Sequence, residues 1–297
     1  SHAPLARFDW LVHAPDHSTI MLTFHHIIGD GISGAYVMRD LLESIAANMG
    51  GSDSFERPIL PVRREIEAHV PAALVSRGMW RQFFARIGAM LSWMWRHGKP
   101  KGPLADDPRS SAGGRKVCVI PRVLEPARTQ RIVDASRANQ TTVHGALSAA
   151  IMLAASEEHG KPTPMLFASP VNVRETMEPP IEDDVGLFVS IGATLHQVDP
   201  GAQDFWELAR EARQELRAFI DDGGAFTLLP MQSKALVWWA RLLPASWFAK
   251  LVRRVQLPGV GLTNIGRADI ASAYGALSIE RLGFAVSLGC SREKGAG

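Results

Sequence analysis

The sequence is poor in cysteine. Its 297 residues carry two, Cys118 and Cys290, too few and too far apart for a metal knuckle or a disulfide framework. No metal site is expected, and the pair fits a reducing compartment. No cationic stretch leading into an apolar one opens the chain, so no signal peptide is read. No apolar run is long enough to cross a bilayer as a helix. A cytoplasmic location is the expectation. Net charge is only +2, and no basic run alternates with aromatics, which argues against nucleic acid as a partner. There is neither a Gly-x-Ser-x-Gly elbow nor a His-Glu-x-x-His pair, which sets serine and metal hydrolysis aside. Long repeats and low-complexity tracts are also missing. What remains is a globular composition, 46% hydrophobic and 21% charged, with enough chain for one sizeable core or two smaller ones.

One short stretch carries chemistry: His25-His26-Ile27-Ile28-Gly29-Asp30-Gly31. It follows an alternating run, residues 18–24, that predicts a strand entering a buried sheet. It precedes residues 33–49, where Tyr36, Val37, Leu41, Leu42 and Ile45 recur at helical spacing. A strand end of this kind fixes the backbone and aims side chains into a crevice. A neutral imidazole there is suited to removing a proton near neutral pH. Successive strand residues face opposite ways, so His25 and His26 are expected to have different roles. Asp30, bracketed by glycines, needs a cationic partner to hold it.

The pattern His-His-x-x-x-Asp-Gly resembles the signature of the acyltransferase superfamily that includes chloramphenicol acetyltransferase, nonribosomal-peptide condensation domains, polyketide-associated acyltransferases and wax ester synthases. The resemblance implies a two-lobe α/β fold of the chloramphenicol-acetyltransferase type. It implies that His26 is the general base, that His25 and Asp30 belong to the motif's framework, with Asp30 paired to an arginine, and that Gly31 leaves room for substrate at a tunnel. It also implies an acyl thioester donor, acyl-CoA or an acyl-phosphopantetheine carrier protein, and no resident cofactor.

In chain order, residues 8–12 and 18–24 are expected to pair as a hairpin ending at the motif. Only 24 residues precede His25, so the resemblance implies that residues 1–50 are the C-terminal part of a first lobe, most of which is absent. Residues 51–115 read as a connector holding a Trp-rich helix over 79–95. Its stripe is Trp80, Phe83, Phe84, Ile87, Leu91 and Met94, with Arg77, Arg96, Lys99 and Lys101 at its flanks. Such a helix either packs on the protein body or lies in a membrane interface. Residues 116–297 are expected to form the second lobe, truncated at its end.

In that lobe, residues 116–120 read as a strand and 125–139 as a helix. Thr141 or Thr142 then caps an Ala-rich buried helix over 143–158, where His144 is expected to be buried by packing. Residues 165–174 predict a strand with Asn172 and Arg174 on one face. A similar strand–Asn-x-Arg segment in the family implies that Arg174 meets Asp30, a bidentate contact in keeping with a planar guanidinium. Residues 185–191 predict another strand, 205–220 an amphipathic helix, 234–255 two short Trp-rich basic helices around Pro244, and 285–288 a last strand. Residues 259–267 resemble the family's Ser-Asn-x-Gly strand that lines the tunnel. Thr263 and Asn264, with Asn172, are therefore candidates for the tunnel or the oxyanion site. The Asp-Phe-Gly-Trp-Gly motif of peptide-forming members is missing.

The reading that follows is acyl transfer from a thioester to a hydroxyl. The Trp-rich segments favour a lipid or alcohol acceptor and peripheral membrane contact. An amide-forming condensation domain is the rival enzyme, and an inactive module that binds an acyl carrier or a membrane is the rival outside enzymes. An open apolar face and sheet edge are expected to lower solubility.

Overall fold

The computed structural model describes residues 4–50, 59–60, 66–72, 78–103, 119–227, 259–266 and 270–286. Two compact units are interleaved along the chain. The first gathers Ser1–Pro71, Asn172–Val189 and Ile265–Phe284; the second gathers Ala72–Val171, Ser190–Asn264 and Ala285–Gly297. The stretches 172–189 and 265–284 thus belong with the N-terminal residues and not with the rest of 116–297.

In the first unit, β1 (Ala6–Ala14) and β2 (His17–Phe24) form an antiparallel hairpin, with Phe8 opposite Leu22 and Trp10 opposite Ile20. The expected hairpin is present, but it is not part of a buried sheet. Phe8, Trp10 and Val12, which alternation puts on one face, are all exposed. The reason is that β1 and β2 pair only with each other among the described strands. Helix α1 (Gly31–Met49) starts two residues earlier than its apolar spacing suggests, because Asp30 is its N-cap and accepts from the Ser33 backbone N–H. Two short strands near residue 275, Ala273–Tyr274 and Leu277–Ser278, pair across a turn in which Gly275 has a positive φ of 55°.

In the second unit, helix α2 (Gly78–His97) comes first. It is followed by α3 (Pro126–Ala138), with proline in its first turn, and α4 (Val143–Glu157), capped by Thr142, whose Oγ1 accepts from the Gly145 N–H. A three-stranded sheet has the order β4 (Val189–Val198), β3 (Thr163–Asn172), β5 (Val260–Gly261). Strand β5 runs parallel to β3. Helix α5 (Phe205–Asp221) crosses α4, and a one-turn helix, α6 (Gly224–Thr227), follows it.

Ala149, Met152, Met165, Phe167, Val198, Leu208 and Ala209 close the core of this unit. The α4–α5 crossing depends on Gly145. A Cβ there would stand 2.6 Å from the Ala209 carbonyl oxygen and 2.6 Å from Thr141 Oγ1, and those two atoms are hydrogen-bonded to each other at 2.8 Å.

Several strand expectations are corrected. Residues 185–188 are not a strand; β4 begins at Val189 and runs on to Val198. The backbone N–H groups of Gly186 and Phe188 are taken by the side chains of Ser33 and Asp30, which leaves no ladder for them to join. Residues 119–120 and 285–286 have no strand pairing, and the remainder of those two expected strands lies outside the described residues. The expected helices over 234–255 lie wholly outside them. The α2 stripe also divides differently. Phe83, Ile87 and Met94 are half-buried, whereas Phe84 and Leu91 are exposed, together with Trp95.

Candidate active site

Strand β2 stops at Phe24, so His25 and His26 lie beyond it, in a turn closed by the Ile28 N–H and the His25 carbonyl. Strand alternation therefore does not separate the two rings; their hydrogen bonds do. Nδ1 of His26 lies 2.8 Å from the Gly29 carbonyl oxygen. A carbonyl only accepts, so the proton sits on Nδ1 and the Nε2 lone pair is left free. At His25 the arrangement is reversed. Its Nδ1 accepts from the Ile27 N–H at 3.2 Å, so in the neutral ring the proton sits on Nε2. Both residues are exposed. Of two adjacent histidines, only His26 presents a basic Nε2.

At the residue after Gly29 the chain is pinned. Asp30 Oδ1 accepts from the Ser33 N–H at 2.8 Å and from Arg174 Nη2 at 2.9 Å, and Oδ2 accepts from the Phe188 N–H at 3.0 Å. Ser33 Oγ accepts from Arg174 Nη2 at 2.8 Å and from the Gly186 N–H at 3.1 Å. Its single proton serves either Asp30 Oδ1 or the Gly186 carbonyl, each 2.8 Å away. Asp30, Ser33 and Arg174 are all buried.

The arginine contact is not the bidentate fork expected. One nitrogen, Nη2, bridges Asp30 and Ser33, because the second carboxylate oxygen is already engaged by Phe188. Nε and Nη1 have no hydrogen-bond partner among the described residues. The guanidinium instead lies over the Phe188 ring, 4.5 Å from its centroid, which recovers part of the cost of burying a cation.

Asn172 and Arg174 do not share a strand face. Strand β3 ends at Asn172, whose Oδ1 accepts from the Arg174 N–H at 3.1 Å. This Asx-type turn swings Arg174 into a short 3₁₀ segment, Arg174–Thr176. Asn172 itself is exposed. Gly31 is close to Ile265, since a Cβ on it would come within 2.9 Å of Ile265 Cγ2. Thr263 and Asn264 follow β5 in the second unit, and both are exposed.

His144 is half-buried in the second unit, with Nε2 3.0 Å from Ser169 Oγ, and burial pushes its pKa down. Sequence reasoning missed Ser33, Gly186 and Phe188. The spacing Asp30-x-x-Ser33 at a helix start was a readable capping signal for Ser33; nothing local marked the other two. Among the described residues, no group of three His, Cys, Asp or Glu side chains is placed to hold a metal ion.

The sequence profile of the phthiocerol/phthiodiolone dimycocerosyl transferase C-terminus family matches residues 116–296, more than half of the chain. The chain belongs to this family. A member of the phthiocerol/phthiodiolone dimycocerosyl transferase family falls within the condensation-domain-like acyltransferases, and the other similarities agree. The chain is 29% identical, over 215 residues, to a protein of Salinispora arenicola described as a nonribosomal peptide synthetase, CymA; the match covers 70% of this chain and 3% of that one.

Polyketide synthase associated protein 5 from Mycobacterium tuberculosis matches with a TM-score of 0.54 at 18% identity, over 75% of this chain and 54% of that one. The first condensation domain of the calcium-dependent antibiotic synthetase matches with a TM-score of 0.53 at 16% identity, over 73% and 46%. The epimerization domain from the third module of tyrocidine synthetase B matches with a TM-score of 0.57 at 15% identity, over 79% and 52%. At these identities the likeness is one of fold: the mixed α/β, two-lobe condensation-domain type. The chain spans about half the length of these solved relatives and a small part of the synthetase.

Proposed function

We propose that this chain takes part in acyl transfer from a CoA or carrier-protein thioester to a hydroxyl, with His26 as the general base. The observation that carries the reading is the 2.8 Å contact from His26 Nδ1 to the Gly29 carbonyl oxygen, since it leaves a basic Nε2 at an exposed ring. In the step proposed, Nε2 takes the proton of the acceptor hydroxyl as its oxygen attacks the thioester carbonyl carbon. The tetrahedral intermediate collapses, the C–S bond breaks, and the departing thiolate recovers the proton from the imidazolium. General-base help of this kind is worth about 10²–10⁴-fold.

Asp30 and Arg174 act in this scheme as positioning residues and exchange no proton. Gly31, having no side chain, leaves room for substrate on the approach to the base. Asn172, Thr263 and Asn264 are the candidates to donate to the oxyanion. Of these, Asn172 has its carbonyl engaged by the Arg174 N–H and only its amide N–H groups to offer.

An amine acceptor, and hence amide formation, is the second reading. The similarity to a nonribosomal peptide synthetase favours it. An alcohol carried by a lipid suits the first reading and would bring the protein to a membrane surface. A third reading, an inactive module that only binds an acyl carrier, is opposed by the tautomer that His26 is held in.

The test is thiol release from acyl-CoA and acyl-carrier donors, run against alcohols and amines. His26→Ala is expected to lower the rate by about 10²–10⁴-fold, while His25→Ala has a smaller effect. Equal rates for His26→Ala and the parent chain overturn the base assignment. Product formed only with amines transfers the reading to amide formation.

A further inference from the structure

Helix α2 contains no acidic residue, and through residue 102 the chain adds none. It carries Arg81, Arg86 and Arg96, followed by Lys99 and Lys101. Arg86 turns inward and lies over the Phe219 ring, 5.0 Å from its centroid. The other four cations are exposed, and none has a carboxylate at ion-pair distance among the described residues. The inward face is apolar in the ordinary way, with Phe83, Ile87, Met90 and Met94 half-buried.

The outward face is not ordinary. Phe84, Leu91 and Trp95 are 63%, 56% and 87% exposed. At 3.6 residues per turn these three and Gly88 fall within about 60° of one another, in a strip about 16 Å long. Nothing approaches within 4 Å of where a Gly88 Cβ would be, so the strip is open at its middle, while at one end Phe84 packs edge-on against Phe83 with ring centroids 5.4 Å apart. Arg81 and Arg96 lie on one side of it on the helical wheel, about 20° and about 80° beyond its edge.

We propose that this face of α2 rests on an anionic lipid surface. Trp95, Leu91 and Phe84 enter the boundary between headgroups and acyl chains, and Arg81, Arg96, Lys99 and Lys101 meet the lipid phosphates. Charge decides between occupants. A second copy of the chain would set four unpaired cations against four. The strip is also a bare helix surface, without the groove or unpaired backbone edge that holds a peptide. An aromatic and aliphatic line flanked by long basic side chains is the pattern of a helix lying in a lipid interface. Lipid binding of this kind requires no acyl transfer, and either can fail without the other.

The test is co-sedimentation of the full chain with vesicles of phosphatidylcholine mixed with phosphatidylglycerol, and with vesicles of phosphatidylcholine alone. Binding is expected only to the anionic vesicles and is expected to weaken as salt is raised. Arg81→Gln, Arg96→Gln and Lys99→Gln are each expected to lower partitioning about fivefold. Phe84→Ser, Leu91→Ser and Trp95→Ser together are expected to abolish it, with the circular dichroism spectrum unchanged. The proposal is overturned if neither vesicle binds, or if the triple serine variant sediments like the parent. It is equally overturned if the parent ignores lipid and elutes as a dimer that the triple variant splits, because the strip is then a contact between copies.

Discussion

Arg174 and Asp30, 144 residues apart in sequence, meet at 2.9 Å with side chains 2% and 5% exposed. The contact ties the loop bearing His26 to the turn that follows β3. Disturbing it is costly, because either charge left alone would be stranded away from water.

Arg174→Ala is therefore expected to destabilise the first unit by about 3–5 kcal/mol, the usual range when one partner of a buried pair is removed. Arg174→Lys is expected to recover only part of this, since an ammonium cannot both stack on Phe188 and bridge Asp30 to Ser33. Urea denaturation of the two variants beside the parent measures the difference. Equal midpoints for all three would mean the pair contributes nothing net.

Ser33→Ala removes a hydroxyl that accepts from both the Arg174 guanidinium and the Gly186 N–H. A buried donor left unmet costs about 1–3 kcal/mol, so a loss of that order is expected in the same measurement. Amide exchange at Gly186 is expected to quicken in the variant. Unchanged exchange would mean Gly186 finds another acceptor.

His144 yields a pH dependence with a definite sign. Burial lowers its pKa in the folded chain below the ordinary 6.5, so below that value the unfolded chain binds more protons than the folded one. Stability is then fully present above pH 6.5 and is lost as pH falls through the window down to the lowered value. His144→Gln keeps a partner for Ser169 and does not titrate. The stability difference between parent and variant is expected to shift against the parent as acid is added, and a constant difference across that window would contradict the assignment.

The exposed face of the β1–β2 hairpin predicts behaviour in solution. Trp10 and Val12 are 66% and 68% exposed, and an apolar strand face open to water promotes association. Trp10→Thr with Val12→Thr is expected to raise the soluble yield without lowering the melting temperature. A drop in melting temperature would instead mean these residues are packed in solution.

How much of this was legible beforehand differs by element. Helices α4 and α5 could be read closely because their caps and apolar spacing are local. Thr142 caps one, and Asp204 accepts from the Glu207 N–H to cap the other. Strands were read less well. Residues 185–188 have strand-forming side chains, yet their backbone donors are claimed by Ser33 and Asp30 from more than 150 positions away. No window along the chain contains that competition.

The family, the helix that follows Asp30, and the choice of residues 25–31 as the place to look for chemistry could all be read from the order of the amino acids. That is because motif spacing, capping and 3.6-residue periodicity are all short-range properties. The folded chain was needed to see that His26 and His25 hold opposite tautomers, that Arg174 reaches Asp30 through one nitrogen, and that Phe84, Leu91 and Trp95 face outward from α2. Each of these depends on which distant backbone groups and side chains arrive at the same point, and periodicity carries no information about that.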